Sequence, residues 1–195
     1  METNRVVGLD RARQAEHAKY IRSYQMQSYR MGGRRMTDAV RHLTRIPGRG
    51  SYLDVGCGRG EMLEHAAALG FAPVTGTEIV PALLDGERIM RAEVHALPFP
   101  DNAFDVVSML DVIEHLIPGD DELACRELGR VARSRVLVTA NNWPSVNSAG
   151  DQLHINRRPY EEWHRLFVGW FAPARVTWLA GDPDTSQAWL VDPWP

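Results

Sequence analysis

The most informative stretch of this chain is Leu53-Asp54-Val55-Gly56-Cys57-Gly58-Arg59-Gly60. It begins as a short apolar strand and runs into a turn with glycine at every second position. Glycine allows a sharp turn and a close approach to a ligand, because no side chain stands in the way. The spacing is G-x-G-x-G, whereas dinucleotide sites use G-x-G-x-x-G to seat a pyrophosphate on a helix N-terminus. The turn therefore indicates a ligand with an adenosyl group and no phosphates.

Two further blocks follow the turn. Glu78 ends the next predicted strand, and an acid at that place can accept hydrogen bonds from both hydroxyls of a ribose. Residues 93–107 then read EVHALPFPDNAFDVV, a loop that leads into a strongly apolar strand. Three blocks in this order and spacing are far more specific than a glycine turn by itself.

The three blocks resemble motif I and the "DAxxLPFxDxxFDxV" segment of the class I S-adenosylmethionine-dependent methyltransferases, over roughly residues 50–140. The resemblance implies an α/β, Rossmann-like fold with a seven-stranded sheet of order 3-2-1-4-5-7-6 and helices on both faces. It also divides the chain into an N-terminal helical lid or extension, 1–49, and an S-adenosylmethionine-binding methyltransferase domain, 50–195. The implied cofactor is S-adenosyl-L-methionine, and the implied activity is methyl transfer.

Hydrophobic periodicity agrees with this fold, because strands and helices alternate from Ser51 onward, as in a parallel sheet covered on both faces. We predict strands at 51–55, 73–78, 89–93, 104–110, 135–139, 175–180 and 187–191. The last two form a hairpin around a Gly-Asp-Pro-Asp turn at 181–184. Helical spacing predicts one helix over 10–31, a second around 36–43 and a third that follows the first strand and stops at Gly70. A fourth is capped by Asp120 or Asp121, and a fifth begins at Pro159.

The resemblance also implies roles for residues beyond the carboxyl ends of the strands, where ligands bind in such sheets. Asp54 would orient the glycine loop, and Gly56, Gly58 and Gly60 would line the methionine and ribose of the cofactor. Glu78 would bind the ribose hydroxyls.

The adenine contact departs from the family pattern. Glu93 stands where the family usually has an aspartate that accepts from the adenine amine, with the Val94 amide facing the ring. Glutamate is longer by one methylene, so this contact is less secure than that of Glu78. Neighbouring residues complete the predicted cofactor site: Cys57, Ile79, Met109 and Leu110. Cys57 and Cys125 show no metal-ligand spacing and are predicted to be packing residues.

Methyl transfer needs a general base only when the acceptor must lose a proton, as a hydroxyl does. Asp111, Glu114 and His115 follow the fourth strand at i, i+3 and i+4, and would share one face of a helix. Their spacing resembles the "E-x-x-E-H" stretch of ubiquinone-biosynthetic O-methyltransferases, where the positions are associated with a divalent cation. The same ending is common in the superfamily without a metal, and we expect no metal here.

His154 is the other candidate base, in a Gly/Asn/Pro/Ser-rich stretch over 140–158 that is too long for a simple connector. The candidate catalytic residues are therefore His115, His154 and Asp111. The N-terminal helix adds Tyr24, Tyr29 and Arg30 as residues that a lid would bring to the ligand; core packing is the other possibility for such aromatic residues.

Charge is distributed unevenly along the 195 residues, although the net charge is only −3. Residues 1–49 hold 11 Lys/Arg and 4 Asp/Glu, whereas the remainder holds 11 and 21. This basic arm either meets an anionic acceptor or pairs with the acidic body. No apolar run reaches the roughly 18 residues of a membrane helix and no signal-peptide core is present, so we expect a soluble cytoplasmic protein without membrane insertion.

The expected function is methyl transfer to a small-molecule, glycan or lipid acceptor, at oxygen rather than nitrogen. A [DNS]-P-P-[YFW] sequence after the fourth strand and a Pro-Cys nucleophile are both absent, which makes DNA bases unlikely acceptors. A nucleic-acid or protein acceptor, and a regulatory module that binds the cofactor without turnover, stay open as alternatives. The glycine spacing argues against an NAD(P) oxidoreductase. The oligomeric state is not readable from the sequence.

Overall fold

A computed structural model describes residues 2–25, 33–179 and 186–192. Seven strands form one sheet: β1 Tyr52–Val55, β2 Val74–Glu78, β3 Ile89–Arg91, β4 Phe104–Leu110, β5 Ala132–Ala140, β6 Val176–Leu179 and β7 Gln187–Val191. Five α-helices accompany them: α1 Glu2–Gln25, α2 Arg34–Arg45, α3 Glu61–Ala68, α4 Asp120–Val131 and α5 Tyr160–Trp170.

The strand order is β3-β2-β1-β4-β5-β7-β6, as predicted. The first five strands run parallel, and β7 is antiparallel to both β5 and β6. Parallel neighbours bring the carboxyl ends of β1, β2 and β4 to one edge of the sheet. The predicted turn at 181–184 lies outside the described residues.

Helices cover both faces of the sheet, because successive residues of its central strands point to opposite sides. On one face, Val107 and Val138 pack in a cluster with Leu128 of α4 and Phe167 of α5. On the other, Val106 and Leu137 pack in a cluster with residues of α2 and α3, including Leu43 and Leu63. Within the predicted extension, therefore, α2 belongs to the layers that bury the sheet.

Two local predictions are wrong. Residues 111–115 do not begin an α-helix; Asp111 has a φ of 53° and leads into a single 3-10 turn over Ile113–His115. The chain reverses sharply as it leaves β4, which breaks the helical spacing on which the prediction depended. The N-cap of helix α4 is Gly119, not Asp120 or Asp121. Asp120 pairs with Arg13, while Asp121 Oδ1 accepts from the Gly119 and Glu122 amides at 2.9 and 3.0 Å.

Two tryptophans near the end of the chain pack together, and both cysteines are buried as the sequence predicts. Trp189 is fully buried and stacks on Trp178 at 5.7 Å between ring centroids, while Trp194 lies outside the described residues. Cys57 and Cys125 are buried, and burial raises the pKa of both thiols, so neither is a reactive thiolate. Both are packing residues.

A buried polar chain joins the two central strands. Ser108 of β4 donates to Asp54 Oδ1 at 2.6 Å, and its hydroxyl lies 2.5 Å from Tyr52 Oη. Asp54 is 4% exposed, and burial raises its pKa from 3.8 to about 7. When the pKa of a carboxyl is higher in the folded than in the unfolded state, the unfolded chain ionises first as the pH rises. The folded state therefore loses stability between the unfolded and the folded pKa.

We therefore expect Asp54→Asn to stabilise the ligand-free protein at pH 8, by up to about 4 kcal/mol, and to have little effect near pH 3.5. Urea unfolding at both pH values measures the difference. Asp105→Asn is the matched control and should change the stability in the opposite direction, because hydrogen bonds from Ser51 lower the pKa of Asp105. Its variant should lose stability at pH 8. An Asp54→Asn variant less stable than wild type at pH 8 would contradict this prediction.

Candidate functional site

A cleft with two lobes lies along the carboxyl ends of β1, β2 and β4. The Glu78 lobe has an empty volume of about 810 Å³ and is lined by Glu78, Ile79, Glu93, Val94, His17 and Tyr20, among others. The His154 lobe has about 750 Å³ and is lined by His154, Arg35, Met36, Cys57, Arg59 and Leu110, among others. Both lobes share Tyr24, Gly56, Asp111 and His115, so they are two halves of one site.

The glycine turn forms the floor where the lobes meet, and the end of β2 holds it there. The amides of Gly56 and Cys57 donate to the Thr77 carbonyl at 2.9 and 3.0 Å, and the Gly58 amide donates to Glu78 Oε2 at 3.0 Å. Asp54, the residue expected to orient the turn, instead accepts from Ser108. It lies within β1, beside Ser108 in the register of the sheet, so its carboxylate reaches β4.

Glu78 is a buried carboxylate held by backbone amides on both oxygens. Its Oε1 accepts from Ile79 at 2.7 Å and Val80 at 3.0 Å, in addition to the Gly58 bond at Oε2. Burial raises its pKa, while the three amide bonds oppose that shift. Each oxygen keeps acceptor capacity toward the lobe, which is the arrangement needed to bind two neighbouring hydroxyls.

Glu93 lines the same lobe but is engaged by the N-terminal helix. His17 Nε2 lies 3.2 Å from Glu93 Oε2, and this hydrogen bond lowers the pKa of Glu93. An adenine amine would therefore share this carboxylate with His17 or displace it. Val94 and Ile79 line the lobe as expected.

Two residues of the predicted cofactor site do not line either lobe. Met109 is completely buried in the core, because alternate residues of β4 point away from the cleft edge. Gly60 lies just before α3 with a φ of 80°, beside Ile89 and Leu63. The structure therefore offers no cleft surface from these two residues, whereas Leu110 and Cys57 line the His154 lobe.

Helix α1 forms the outer wall of the cleft and is tied to the body by ion pairs. Arg13 makes a bidentate pair with Asp120 at 2.8 and 2.6 Å, and Arg22 pairs with Asp151 at 2.8 Å. Together with Arg35, whose Nη1 lies 3.4 Å from Asp111, these pairs join the basic arm to the acidic body. For these three arginines, the pairing interpretation of the charge distribution is confirmed.

Tyr24 of α1 lies directly over the glycine turn, as expected for a residue of a lid. A Cβ atom added to Gly58 would lie 2.5 Å from the Tyr24 hydroxyl, and Gly58 has a φ of 56°. Any other residue at this position would displace Tyr24 and strain the backbone. Tyr29 and Arg30 lie outside the described residues.

The His154 lobe holds two neutral imidazoles. Nδ1 of His115 donates to the Leu153 carbonyl at 3.1 Å, and Nδ1 of His154 donates to the Trp143 carbonyl at 2.5 Å. A carbonyl only accepts, so both rings carry their proton on Nδ1 and a lone pair on Nε2. Burial lowers the pKa of His115 to about 3 and also lowers that of His154.

Asp111 lies between the lobes at the end of β4. Its amide donates to Thr139 Oγ1 at 2.8 Å, and that hydroxyl donates back to Asp111 Oδ1 at 2.8 Å. Glu114 follows in the 3-10 turn and is completely buried, and burial raises its pKa well above the usual value. The structure thus brings Asp111, His115 and His154 together at one lobe, although the sequence offered His154 only as an alternative to the Asp111–His115 segment.

Sequence reasoning missed several residues of the cleft. Thr77 acts through its carbonyl, which carries no side-chain signal. His17 and Arg35 belong to the basic arm. The sequence gives the number of basic residues in this arm but not the direction in which each side chain points. Asn141, directly after β5, accepts from the Trp143 amide at 2.8 Å and so stabilises the turn that follows.

Comparison with known families decides the assignment. The profile of the methyltransferase domain family matches residues 53–139, which include the glycine turn, Glu78 and Asp111. The strand order of the whole sheet is the one expected for the class I S-adenosylmethionine-dependent methyltransferase superfamily, so the family match at 53–139 and the topology agree. The cofactor of this superfamily is S-adenosylmethionine. No curated protein matches the chain in sequence.

Solved methyltransferases share the fold at low sequence identity. One is the 1,6-didemethyltoxoflavin-N1-methyltransferase of Burkholderia thailandensis, with a TM-score of 0.74, 16% identity and coverage of 94% of this chain and 89% of that one. Another is the sugar N-methyltransferase KedS8 of Streptoalloteichus, with a TM-score of 0.61, 17% identity and coverage of 82% and 87%. A third is CalS10, an amino pentose methyltransferase of Micromonospora echinaspora. Its TM-score is 0.59 at 18% identity, and the match covers 80% of this chain and 89% of that one.

These similarities extend over most of the chain, so the methyltransferase fold accounts for nearly all of it. Among the described residues, no helix is both long and apolar enough to cross a membrane.

The ribose role of Glu78 predicts a large effect of its removal. Glu78→Ala should weaken the binding of S-adenosylhomocysteine by about 1.5–3 kcal/mol, because charge-assisted hydrogen bonds are lost. Isothermal titration calorimetry measures this, with the exposed Glu87→Ala as the matched control. A folded Glu78→Ala protein with wild-type affinity would remove Glu78 from the site.

Proposed function

We propose that this protein transfers the methyl group of S-adenosylmethionine to a hydroxyl oxygen of a small molecule, a glycan or a lipid headgroup. The observation that carries the proposal is the two-lobed cleft. One lobe presents an amide-held carboxylate beside a glycine turn, and the adjoining lobe presents groups that can accept a proton.

The cofactor fits the cleft in one direction. The ribose would bind Glu78 and the adenine would lie between Ile79 and Val94, which places the adenosyl group in the Glu78 lobe. The rest of the cofactor would pass over Gly56 and Gly58 into the His154 lobe. Its amino-acid end would then meet Arg35 and Arg59, the two arginines that line that lobe.

Methyl transfer requires mainly that the protein align the reacting atoms. A sulfonium is already an activated methyl donor, so the protein has to hold acceptor oxygen, methyl carbon and sulfur in line and exclude water. An acceptor hydroxyl must also lose its proton as the new bond forms. Asp111, His115 and His154 face the place where this acceptor would lie, and they are the residues we propose to orient it and receive the proton.

A nitrogen acceptor is the second candidate. The toxoflavin and sugar enzymes with this fold are named for transfer to nitrogen. A neutral amine already has a lone pair for attack, so it depends less on a proton acceptor than a hydroxyl does. The lobe of this chain contains a carboxylate and two neutral imidazoles, which favours the hydroxyl.

Turnover tests the proposed function directly. We expect release of S-adenosylhomocysteine when S-adenosylmethionine is incubated with a panel of phenolic, sugar, lipid and amine acceptors. Asp111→Asn should lower kcat at least about 100-fold on a hydroxyl acceptor while S-adenosylhomocysteine affinity changes by less than about threefold. Cofactor binding without turnover on every acceptor would favour the regulatory module. Turnover confined to amines would favour the nitrogen reaction.

The proposed position of the amino-acid end can be tested with two ligands. Arg35→Gln should weaken S-adenosylhomocysteine binding about tenfold, because a charge-assisted bond to the carboxylate is lost. Binding of 5′-methylthioadenosine, which lacks the amino-acid end, should not change. Arg45→Gln, on the exposed side of the same helix, is the control. Equal losses for both ligands would contradict this placement.

The Arg35→Gln variant also tests whether the acceptor is anionic. If Arg35 serves the acceptor instead of the cofactor, its replacement by glutamine should raise the KM for an anionic acceptor and leave S-adenosylhomocysteine affinity unchanged.

A further inference from the structure

We infer that Glu114, His115 and His154 form a binding site for one divalent transition-metal ion beneath the His154 lobe. Each of the three residues offers one ligand atom, and the three atoms lie within 4.8 Å of one another. Glu114 and His115 belong to the 3-10 turn after β4, whereas His154 comes from the long segment after β5. The site therefore exists only in the folded chain.

Glu114 is the observation that points to a ligand. The side chain is 0% exposed, and neither carboxylate oxygen has a hydrogen bond of normal geometry among the described residues. The amides of Glu114 itself and of Asn141 come near enough to oppose the rise of its pKa, but burial outweighs them. A buried carboxylate without a partner is costly, and proteins usually satisfy it with a cation, a hydrogen-bond donor or a proton. A metal ion would satisfy both oxygens at once.

The imidazoles are oriented as metal-binding histidines usually are. Each ring donates from Nδ1 to a backbone carbonyl, which fixes the ring and leaves the Nε2 lone pair for a cation. The centroids of the two rings are 4.7 Å apart. The Asn156 amide also donates to the Glu114 carbonyl at 2.9 Å, so the long segment and the 3-10 turn are joined at this point.

The set differs from the one considered in the sequence, which included Asp111. In the structure Asp111 Oδ1 accepts from Thr139 and its Oδ2 faces Arg35, so both of its oxygens are already engaged. His154 takes the third place. The ligand set therefore changes from two carboxylates and one imidazole to one carboxylate and two imidazoles. With this set we propose a metal where the sequence led us to expect none.

The donor set indicates the kind of ion. Two nitrogens and one carboxylate suit Zn²⁺, Co²⁺, Fe²⁺ or Mn²⁺, whereas Mg²⁺ and Ca²⁺ prefer oxygen ligands only. Ligands about 2.1 Å from a tetrahedral ion are about 3.4 Å apart, so binding would draw the three side chains together. Three protein ligands leave at least one coordination position open, as in catalytic rather than structural sites.

The role of the ion rests on the proposed function. His115 and His154 both line the lobe, so the open position would face the acceptor. An acceptor hydroxyl bound to the cation would lose its proton more readily, since the metal stabilises the oxyanion. Asp111, which lines both lobes, is the carboxylate that we propose would then take that proton. The ion itself is neither oxidised nor reduced.

Cobalt(II) titration of the untagged full-length protein tests the site after treatment with a chelator. We expect one equivalent of Co²⁺ to bind, with visible absorption typical of a tetrahedral or five-coordinate ion. Glu114→Gln and His154→Gln should each weaken Co²⁺ binding at least about 100-fold. His65→Gln, an exposed histidine on α3, should bind like wild type. Mg²⁺ at the same concentration should not compete.

Two results would overturn the site. Wild type that binds Co²⁺ no more tightly than Glu114→Gln shows that Glu114 is simply a protonated buried acid. Wild type that binds Mg²⁺ as well as Co²⁺ overturns the assignment to a transition-metal ion. S-adenosylhomocysteine calorimetry without metal, on each variant, confirms folding and keeps the two proposals apart. Cofactor binding without Co²⁺ binding removes only the metal site; Co²⁺ binding without cofactor binding removes the proposed function.

Discussion

The clamp between the glycine turn and the end of β2 is the constraint on which the cleft depends. Two turn amides share the Thr77 carbonyl, and a third reaches the Glu78 carboxylate, which is itself held by the Ile79 and Val80 amides. Because the carboxylate is buried, it keeps one orientation before any ligand arrives. The Glu78 carboxylate and the floor of the cleft are thus set by the same hydrogen bonds.

Helix α1 closes this floor from the outside, largely through charge. Arg13 and Arg22 pair with Asp120 and Asp151, so the excess of positive charge in the arm is matched by carboxylates around the cleft. Tyr24 is placed over the turn as a consequence, at a distance that only glycine at position 58 permits. Several of these contacts are partly exposed, and such pairs contribute little individually, which suits a wall that must open for a cofactor.

The second lobe is built from polar groups that the fold has buried. Carbonyls of the long segment after β5 fix both imidazoles in one tautomer, while Glu114 lies beneath them without a hydrogen bond of normal geometry among the described residues. Burial keeps the imidazoles neutral, and neutral imidazole serves both proton acceptance and metal binding. One local arrangement therefore underlies the proposed chemistry and the inferred cation site.

The sequence by itself determined the strand order, the place of the glycine turn and the place of Glu78 at the end of β2, because these follow from local pattern and from parallel topology. It offered His115 and His154 as alternative bases and did not predict that they lie side by side. Only the tertiary structure decided which oxygens and nitrogens are engaged. It showed that Asp54 bonds to Ser108, that His17 holds Glu93, and that Met109 faces the core. Such partners come from distant segments, and the direction of a side chain depends on backbone angles, such as the positive φ of Asp111, that spacing does not encode.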